Sequence, residues 1–512
     1  MFFLMPLDIQ LKKELLFWNG NKKSKNHRIV KMLWSSKGFP FFYTHDHYYL
    51  SNQSLSGIVN FKVDGEIYSF DQFDLKFNRP DIILDRLGYA DSTTLKLYNK
   101  AYKKRLKKMG FTEEMLKSDF HTPKIEIVDI DIIPSITKSN KVDIEVEIVD
   151  SKYRLDRINV WVNNVAIYGI SGISLREENT QEFDMDITIP LHLGTNKVEV
   201  SVLNQSGAES YKETFDTECT SGSLKNDLYV IAISVSEYEQ SDMNLKYAVK
   251  DGRDITSLYA KNVNETYENV YIDTLFNNEA TLNNVIAIKQ KLQKSKVDDQ
   301  VILYVSGHGL LDDNLDFYFA SHDMDFSNPA LRGISYETLE DLLDSIPARK
   351  KLFMMDACHS GEVDKEELVE DITPDDLLAQ NNKDKKNGLK TYSYRGAKAT
   401  TSSNTSNKLG LQNSFELMQE LFTNLNRGSG AMVISAAGGD SYALESQEWN
   451  NGVFTYAVIN GLKNNKADAD SDGEVSVSEL RSYVIEQVQE LTNGRQKPTS
   501  RQENIEFDFR VW

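Results

Sequence analysis

Apolar and polar residues change period several times along this chain. Residues 1 to about 75 hold short apolar segments broken by turns, such as Phe41-Phe-Tyr, Tyr48-Tyr-Leu and Ile58-Val-Asn-Phe-Lys-Val before Asp64-Gly65. Residues 92–109 follow a helical period. Leu95, Tyr98, Tyr102, Leu106 and Met109 form one stripe, with Ser92 at the start and Gly110 at the end. Residues 1–122 therefore predict a β-rich segment plus an amphipathic helix. Residues 124–217 alternate instead. Val142, Ile144, Val146 and Ile148 are spaced by Asp143, Glu145 and Glu147, and the period returns at Phe183–Ile189 and Val198–Val202. Alternation puts the apolar set on one strand face. With Gly194-Thr-Asn and Asn204-Gln-Ser-Gly as turns, this predicts an immunoglobulin- or fibronectin-like β-sandwich over 123–218. Thr217 to Asn226 reads as a polar linker carrying Cys219.

From Asp227 the pattern becomes strand, helix, strand, helix. Strands are expected at Leu228–Val235, Val270–Leu275, Val301–Ser306, Lys351–Ala357 and Ala431–Ala437. Helices are expected at Leu245–Tyr259, Thr281–Leu292, Glu337–Ile346, Phe415–Leu425, Phe454–Leu462 and Ser478–Leu491. Such alternation predicts an α/β domain over 226–512, a mostly parallel sheet flanked by helices. Residues 362–412 break the pattern. They open acidic, then turn polar, and read as a mobile insertion.

At 512 residues the chain is too long for one core. No apolar run approaches the roughly 20 residues of a membrane helix, so no membrane is expected. Met1-Phe-Phe-Leu-Met-Pro-Leu7 lacks a basic leader and a cleavage site, which predicts no signal peptide. Two cysteines, Cys219 and Cys358, make no disulfide framework and point to the reducing cytoplasm. A net charge of −19 argues against nucleic acid as a partner. Residues 1–122 carry 20 Lys+Arg and 13 Asp+Glu, a net of +7 that leaves −26 for the rest. The basic excess reads as a solvated helix face, with a docking surface for a protein partner as the other reading.

Two segments carry chemistry. Val301-Ile-Leu-Tyr-Val-Ser-Gly-His-Gly309 is a buried-type strand ending in a glycine-flanked histidine. Lys351-Leu-Phe-Met-Met-Asp-Ala-Cys-His-Ser-Gly361 is another, ending in a cysteine. Reactive groups in parallel sheets sit just past the carboxyl ends of strands. A thiol attacks an acyl carbon as thiolate, and a nearby imidazole can hold that thiolate and later protonate the leaving amine. His308 and Cys358 suit these roles, and the backbone N–H groups of Gly309 and Cys358 suit an oxyanion hole. Asp356 lies two residues before Cys358, on the same side of a strand. A carboxylate there favours a cationic residue before the scissile bond.

Ser306-Gly-His-Gly309 and Asp356-Ala-Cys-His-Ser-Gly361 resemble the caspase-like cysteine peptidases of family C14, within them the metacaspase and orthocaspase branch. The likeness covers about Asp227 to Trp512. It includes Leu245-Lys-Tyr-Ala-Val-Lys-Asp251, Ser435-Ala-Ala-Gly-Gly-Asp-Ser-Tyr-Ala-Leu-Glu445 and Asn451-Gly-Val-Phe-Thr-Tyr-Ala457. The resemblance implies the caspase-like fold, His308 as acid/base, Cys358 as nucleophile and no obligatory third member. It also implies an acidic pocket of Asp251, Ser306 and Asp356, hence cleavage after Arg or Lys, and processing within 362–412. Asp71-Gln-Phe-Asp-Leu-Lys-Phe-Asn-Arg-Pro-Asp81 resembles the segment joining WD-repeat propellers to caspase-like domains in some bacterial proteins.

Asp468-Ala-Asp-Ser-Asp-Gly-Glu-Val-Ser-Val-Ser-Glu479 matches a calcium loop, with acids at positions 1, 3, 5 and 12 and Gly at 6. Asp468, Asp470, Asp472, Glu474 and Glu479 are the candidate ligands for Ca²⁺. No organic cofactor is expected. The sequence thus predicts a cysteine endopeptidase acting on polypeptides after Arg or Lys. Two alternatives stay open: a proteolytically silent calcium-binding scaffold, and a peptide ligase using the same thiol.

Overall fold

In a computed structural model, the described residues are 3–6, 15–18, 29–34, 40–51, 59–63, 66–88, 90, 92–222, 225–262, 266–312, 316–357, 393–394, 430–436, 443–501 and 508–512. The chain divides into two compact units, Met1–Gly222 and Ser223–Trp512.

In the second unit, strand β1 (Leu228–Ser234) leads to helix α1 (Ala248–Tyr259), β2 (Val270–Phe276) and α2 (Leu282–Leu292). Next come β3 (Gln300–Gly307), β4 (Gly309–Leu311), β5 (Phe317–Phe319), α3 (Tyr336–Leu343) and β6 (Lys350–Ala357). The unit ends with β7 (Met432–Ser435), α4 (Val453–Lys463), α5 (Val477–Leu491) and β8 (Thr499–Arg501). The sheet order is β2-β1-β3-β6-β7-β8. Its first five strands are parallel and β8 is antiparallel. The sheet is therefore mixed and flanked by helices. The sequence reading missed β8, because three residues at an edge are too few to show a period.

Both faces of the sheet are covered, which is why its strands read as continuous apolar runs. Ile231, Ile233, Leu303, Val305, Phe353 and Met355 face α2 and α3. Val230, Ala232, Ile302, Tyr304, Leu352 and Met354 face α1, α4 and α5. Each fully buried Val, Leu, Ile, Phe or Met among these contributes about 1.5–3 kcal/mol over an exposed one. Helix starts follow local capping: Thr281 accepts from the Asn284 N–H and Ser335 from the Thr338 N–H.

The first unit begins with two small sheets. One joins Phe3–Pro6, Val59–Val63 and Glu66–Ser69; the other joins Leu15–Trp18, Ile29–Trp34, Pro40–Thr44 and Tyr49–Ser51. The expected amphipathic helix spans Ser92–Lys108. Its Tyr102 and Leu106 are buried against Leu75, Phe111, Leu116 and Leu203. Beyond it, strands Glu182–Pro190, Lys141–Val149 and Lys124–Ile127 form one sheet. Leu155–Val162, Gly194–Asn204 and Glu213–Cys219 lie in another, and one apolar core joins the two. Val142, Ile144, Val146 and Ile148 all point into that core.

One boundary is corrected. Thr217 to Cys219 belong to a strand and not to a linker. Cys219 is buried, and the carbonyls of Ser139 and Ser221, 3.2 and 3.1 Å from its sulfur, are the acceptors within reach of its one S–H. Polar neighbours masked a strand end whose alternate residues face inward. The Phe415–Leu425 helix and the 362–412 insertion lie outside the described residues, apart from Ser393–Tyr394, which pair with Leu444 and Glu445.

Candidate active site

β3 and β6 are adjacent and in register from Gln300 opposite Lys350 to Gly307 opposite Ala357. His308 directly follows the first strand and Cys358 the second. Cys358 lies outside the described residues.

His308 is 3% exposed. Its backbone N–H donates to the Tyr238 hydroxyl at 3.0 Å, and its carbonyl accepts from Ala320 N–H at 2.9 Å. The ring lies 5.2 Å from Tyr238 and 5.8 Å, edge-on, from Phe326. Its Nε2 is 2.7 Å from the Met243 carbonyl oxygen. A carbonyl can only accept, so Nε2 is the donor and carries a proton. Gly307 beside it is closely packed: a Cβ there would lie 3.0 Å from the Tyr238 hydroxyl and 3.1 Å from the Phe319 ring. Gly309 starts β4 and pairs with Phe319. Because Ala320 N–H already bonds the His308 carbonyl, the antiparallel alternation turns the Gly309 N–H away from β5.

Ser306 and Asp356 are register partners, so their side chains share one sheet face, and Ser234 continues the row on β1. Asp251 lies on α1, which packs on that face. Asp251, Ser306 and Asp356 are all fully buried. The start of α4 holds both carboxylates. Asn451 Nδ2 donates to Asp251 Oδ1 at 2.8 Å, and Gly452 N–H lies 3.2 Å from each Asp251 oxygen. Thr455 Oγ1 donates to Asp356 Oδ2 at 2.5 Å, and the Tyr304 hydroxyl lies 2.6 Å from Thr455 Oγ1. Two buried acids and a histidine thus sit around the carboxyl ends of β1, β3 and β6, where an α/β sheet places its chemistry.

The model of the caspase domain, peptidase family C14, matches residues 228–510. The chain belongs to the caspase-domain peptidases. A cysteine peptidase domain, acting on polypeptides, therefore fills its second unit. No curated protein matches the chain in sequence. Among solved structures, a protein from Geobacter sulfurreducens is 17% identical, with a TM-score of 0.35 over 54% of this chain and 92% of that one. The fibronectin(III)-like modules of Clostridium thermocellum CbhA are 13% identical, with a TM-score of 0.16 over 20% of this chain and 50% of theirs. Both scores are too low to define a shared fold.

The acidic loop of the caspase domain precedes α5. Asp468, Asp470 and Asp472 each offer an oxygen within 4.8 Å of the others. Asp468 Oδ1 is buried without a hydrogen-bond partner among the described residues, while Oδ2 accepts from Gly473 N–H at 3.0 Å. Gly473 has φ +90°, a turn that needs glycine. This donor set fits a hard cation. The two glutamates bond elsewhere. Glu474 pairs with Arg510 at 2.5 Å. Glu479 accepts from Ala469, Asp470 and Ser476 N–H groups and closes a capping box with Ser476. Burial alone would raise its carboxyl, but these N–H groups outweigh burial and hold it below its ordinary value.

Reading the sequence alone missed the Met243 carbonyl and Tyr238, and it placed Asn451 and Thr455 in a family motif without giving either a role. Tyr304 carried a signal: a tyrosine inside a buried apolar strand needs a partner for its hydroxyl.

Proposed function

We propose that this chain is a metacaspase-like cysteine endopeptidase that cleaves after Arg or Lys. Cys358 attacks the scissile carbonyl as thiolate, its proton held at His308 Nδ1. The tetrahedral oxyanion is met by the N–H groups of Gly309 and Cys358. As the C–N bond breaks, Nδ1 gives its proton to the leaving amine. Water, losing a proton to the same nitrogen, then hydrolyses the thioester. The observation that carries this reading is the oriented His308 beside a strand whose register partner runs directly into Cys358. Asp251 and Asp356 would take the cationic side chain, with Ser306 between them. A third triad residue is not needed where a carbonyl already orients the ring.

Fluorogenic peptides ending in Arg, Lys or Asp, tested with wild type, Cys358→Ala and His308→Ala, decide the matter. Expected is cleavage after Arg and Lys, and a loss of at least about 10³-fold in both variants. Activity surviving Cys358→Ala would remove the mechanism, and a preference for Asp would remove the specificity. Mass spectrometry of the same samples reads any cut within 362–412 and whether it requires Cys358.

Asp468, Asp470 and Asp472 would hold Ca²⁺, bracing the loop before α5. Calorimetric titration should show binding that Asp470→Asn weakens at least tenfold. The first unit is read as an immunoglobulin-like module following a strand-rich segment that engages a protein partner, in a protein of the cytoplasm.

A further inference from the structure

We propose that Thr455 is a positioning residue that makes the specificity site select arginine over lysine. This rests on the reading of Asp356 as the acceptor for the substrate's cationic side chain. Thr455 is the third residue of α4 and is fully buried. Its one hydroxyl hydrogen goes to Asp356 Oδ2, an acceptor, so the Tyr304 hydroxyl must donate to Thr455 Oγ1. The result is a directed relay, Tyr304 to Thr455 to Asp356, reaching from β3 across α4 to the tip of β6. It fixes the rotation of the Asp356 carboxylate before any substrate arrives. Asn451 and Gly452 do the same for Asp251 from the same helix start.

Carboxylate rotation matters unequally to the two cations. A guanidinium is a planar fork whose paired N–H groups need acceptors at set angles. An ammonium is a compact charge that bonds from many directions. A carboxylate held in one plane lowers the ordering cost for the fork and does less for the point charge. The donors to Asp356 and Asp251 described above are neutral, so they orient the acids without cancelling the charge that attracts a cation.

The test compares kcat and KM on matched peptides ending in Arg or Lys for wild type, Thr455→Val, Thr455→Ser and Tyr304→Phe. Thr455→Val should lower kcat/KM for the Arg peptide about 10- to 100-fold, the range for losing one hydrogen bond to a charged group. It should lower the Lys peptide less, so that the Arg-to-Lys ratio falls several-fold. Thr455→Ser, which keeps the hydroxyl, should restore the ratio. Tyr304→Phe keeps the ring and the packing, and should shift the ratio in the same direction by a smaller factor. Equal losses on both peptides, or an unchanged ratio in Tyr304→Phe, would overturn the proposal and leave Thr455 as packing between helix and sheet. Wild type that cleaves after neither Arg nor Lys would overturn the underlying reading instead, a separate outcome visible before any variant is made.

Discussion

At the scale of single residues, the caspase domain is set by groups with little room. Gly307 is one. An added methyl would press on the Tyr238 hydroxyl and the Phe319 ring, both buried. Tyr238 holds the backbone of His308, so Gly307→Ala should cut kcat at least tenfold while costing about 1–3 kcal/mol of stability, measured by urea unfolding beside the peptidase assay. Lys351 is another. Burial, its dominant influence, pushes the ammonium down to about 7, although Asp344 nearby opposes the shift. Its Nζ donates to the Leu343 carbonyl at the end of α3. The folded chain therefore binds fewer protons than the unfolded one between about pH 7 and 10.5, and stability rises with pH across that window. Unfolding free energies at pH 7 and 9 should differ less in Lys351→Met than in wild type, the gap reflecting up to about 1.4 kcal/mol per pH unit. Equal slopes would place a charged Lys351 in the fold. The histidine and the glycines around it were legible because each stands at a strand end. Lys351 was not, because a lysine at the start of an apolar strand looks like a solvated end.

At the scale of elements, close approach decides where α1 lies. Gly252 sits on its sheet-facing side, where a Cβ would come 2.4 Å from Ser234 Oγ and 2.9 Å from Phe276. An alanine inside a helix ordinarily stabilises by about 0.8–1 kcal/mol. Here Gly252→Ala should destabilise instead, by about 1–3 kcal/mol, because the helix must lift from the sheet. It should also weaken cleavage, since Asp251 is the neighbouring residue. A stabilised variant in thermal melts would refute the close packing. Helix and strand types were readable from period and caps in this unit. The β8 edge strand was not, nor was the pairing of α4 with two acids from α1 and β6. Those contacts join residues some 100 to 200 positions apart, and no local pattern reports them.

For the whole molecule, two units with their own cores should melt separately. One core gathers around Val146, Val160 and Val200, and the others line the two faces of the mixed sheet. Scanning calorimetry of the full chain should resolve two transitions, and calcium should move only the one that belongs to residues 223–512. A single transition shifted by calcium would show the two cores unfolding as one. Charge is divided unevenly as well, with +7 in residues 1–122 against −26 in the remainder.

What the sequence determined by itself was everything with a short range. Periods of two and 3.6 mark strands and helices, glycines mark tight places, and the motifs ending in His308 and Cys358 mark the family, because each depends on neighbours in the chain. Tertiary structure alone decided which carbonyl turns the histidine ring, which hydroxyl holds Asp356, and that Asp251, Ser306 and Asp356 lie buried on one side of the sheet. These depend on register and helix packing, which bring distant residues to hydrogen-bond distance, and such distances are set only when the whole sheet closes.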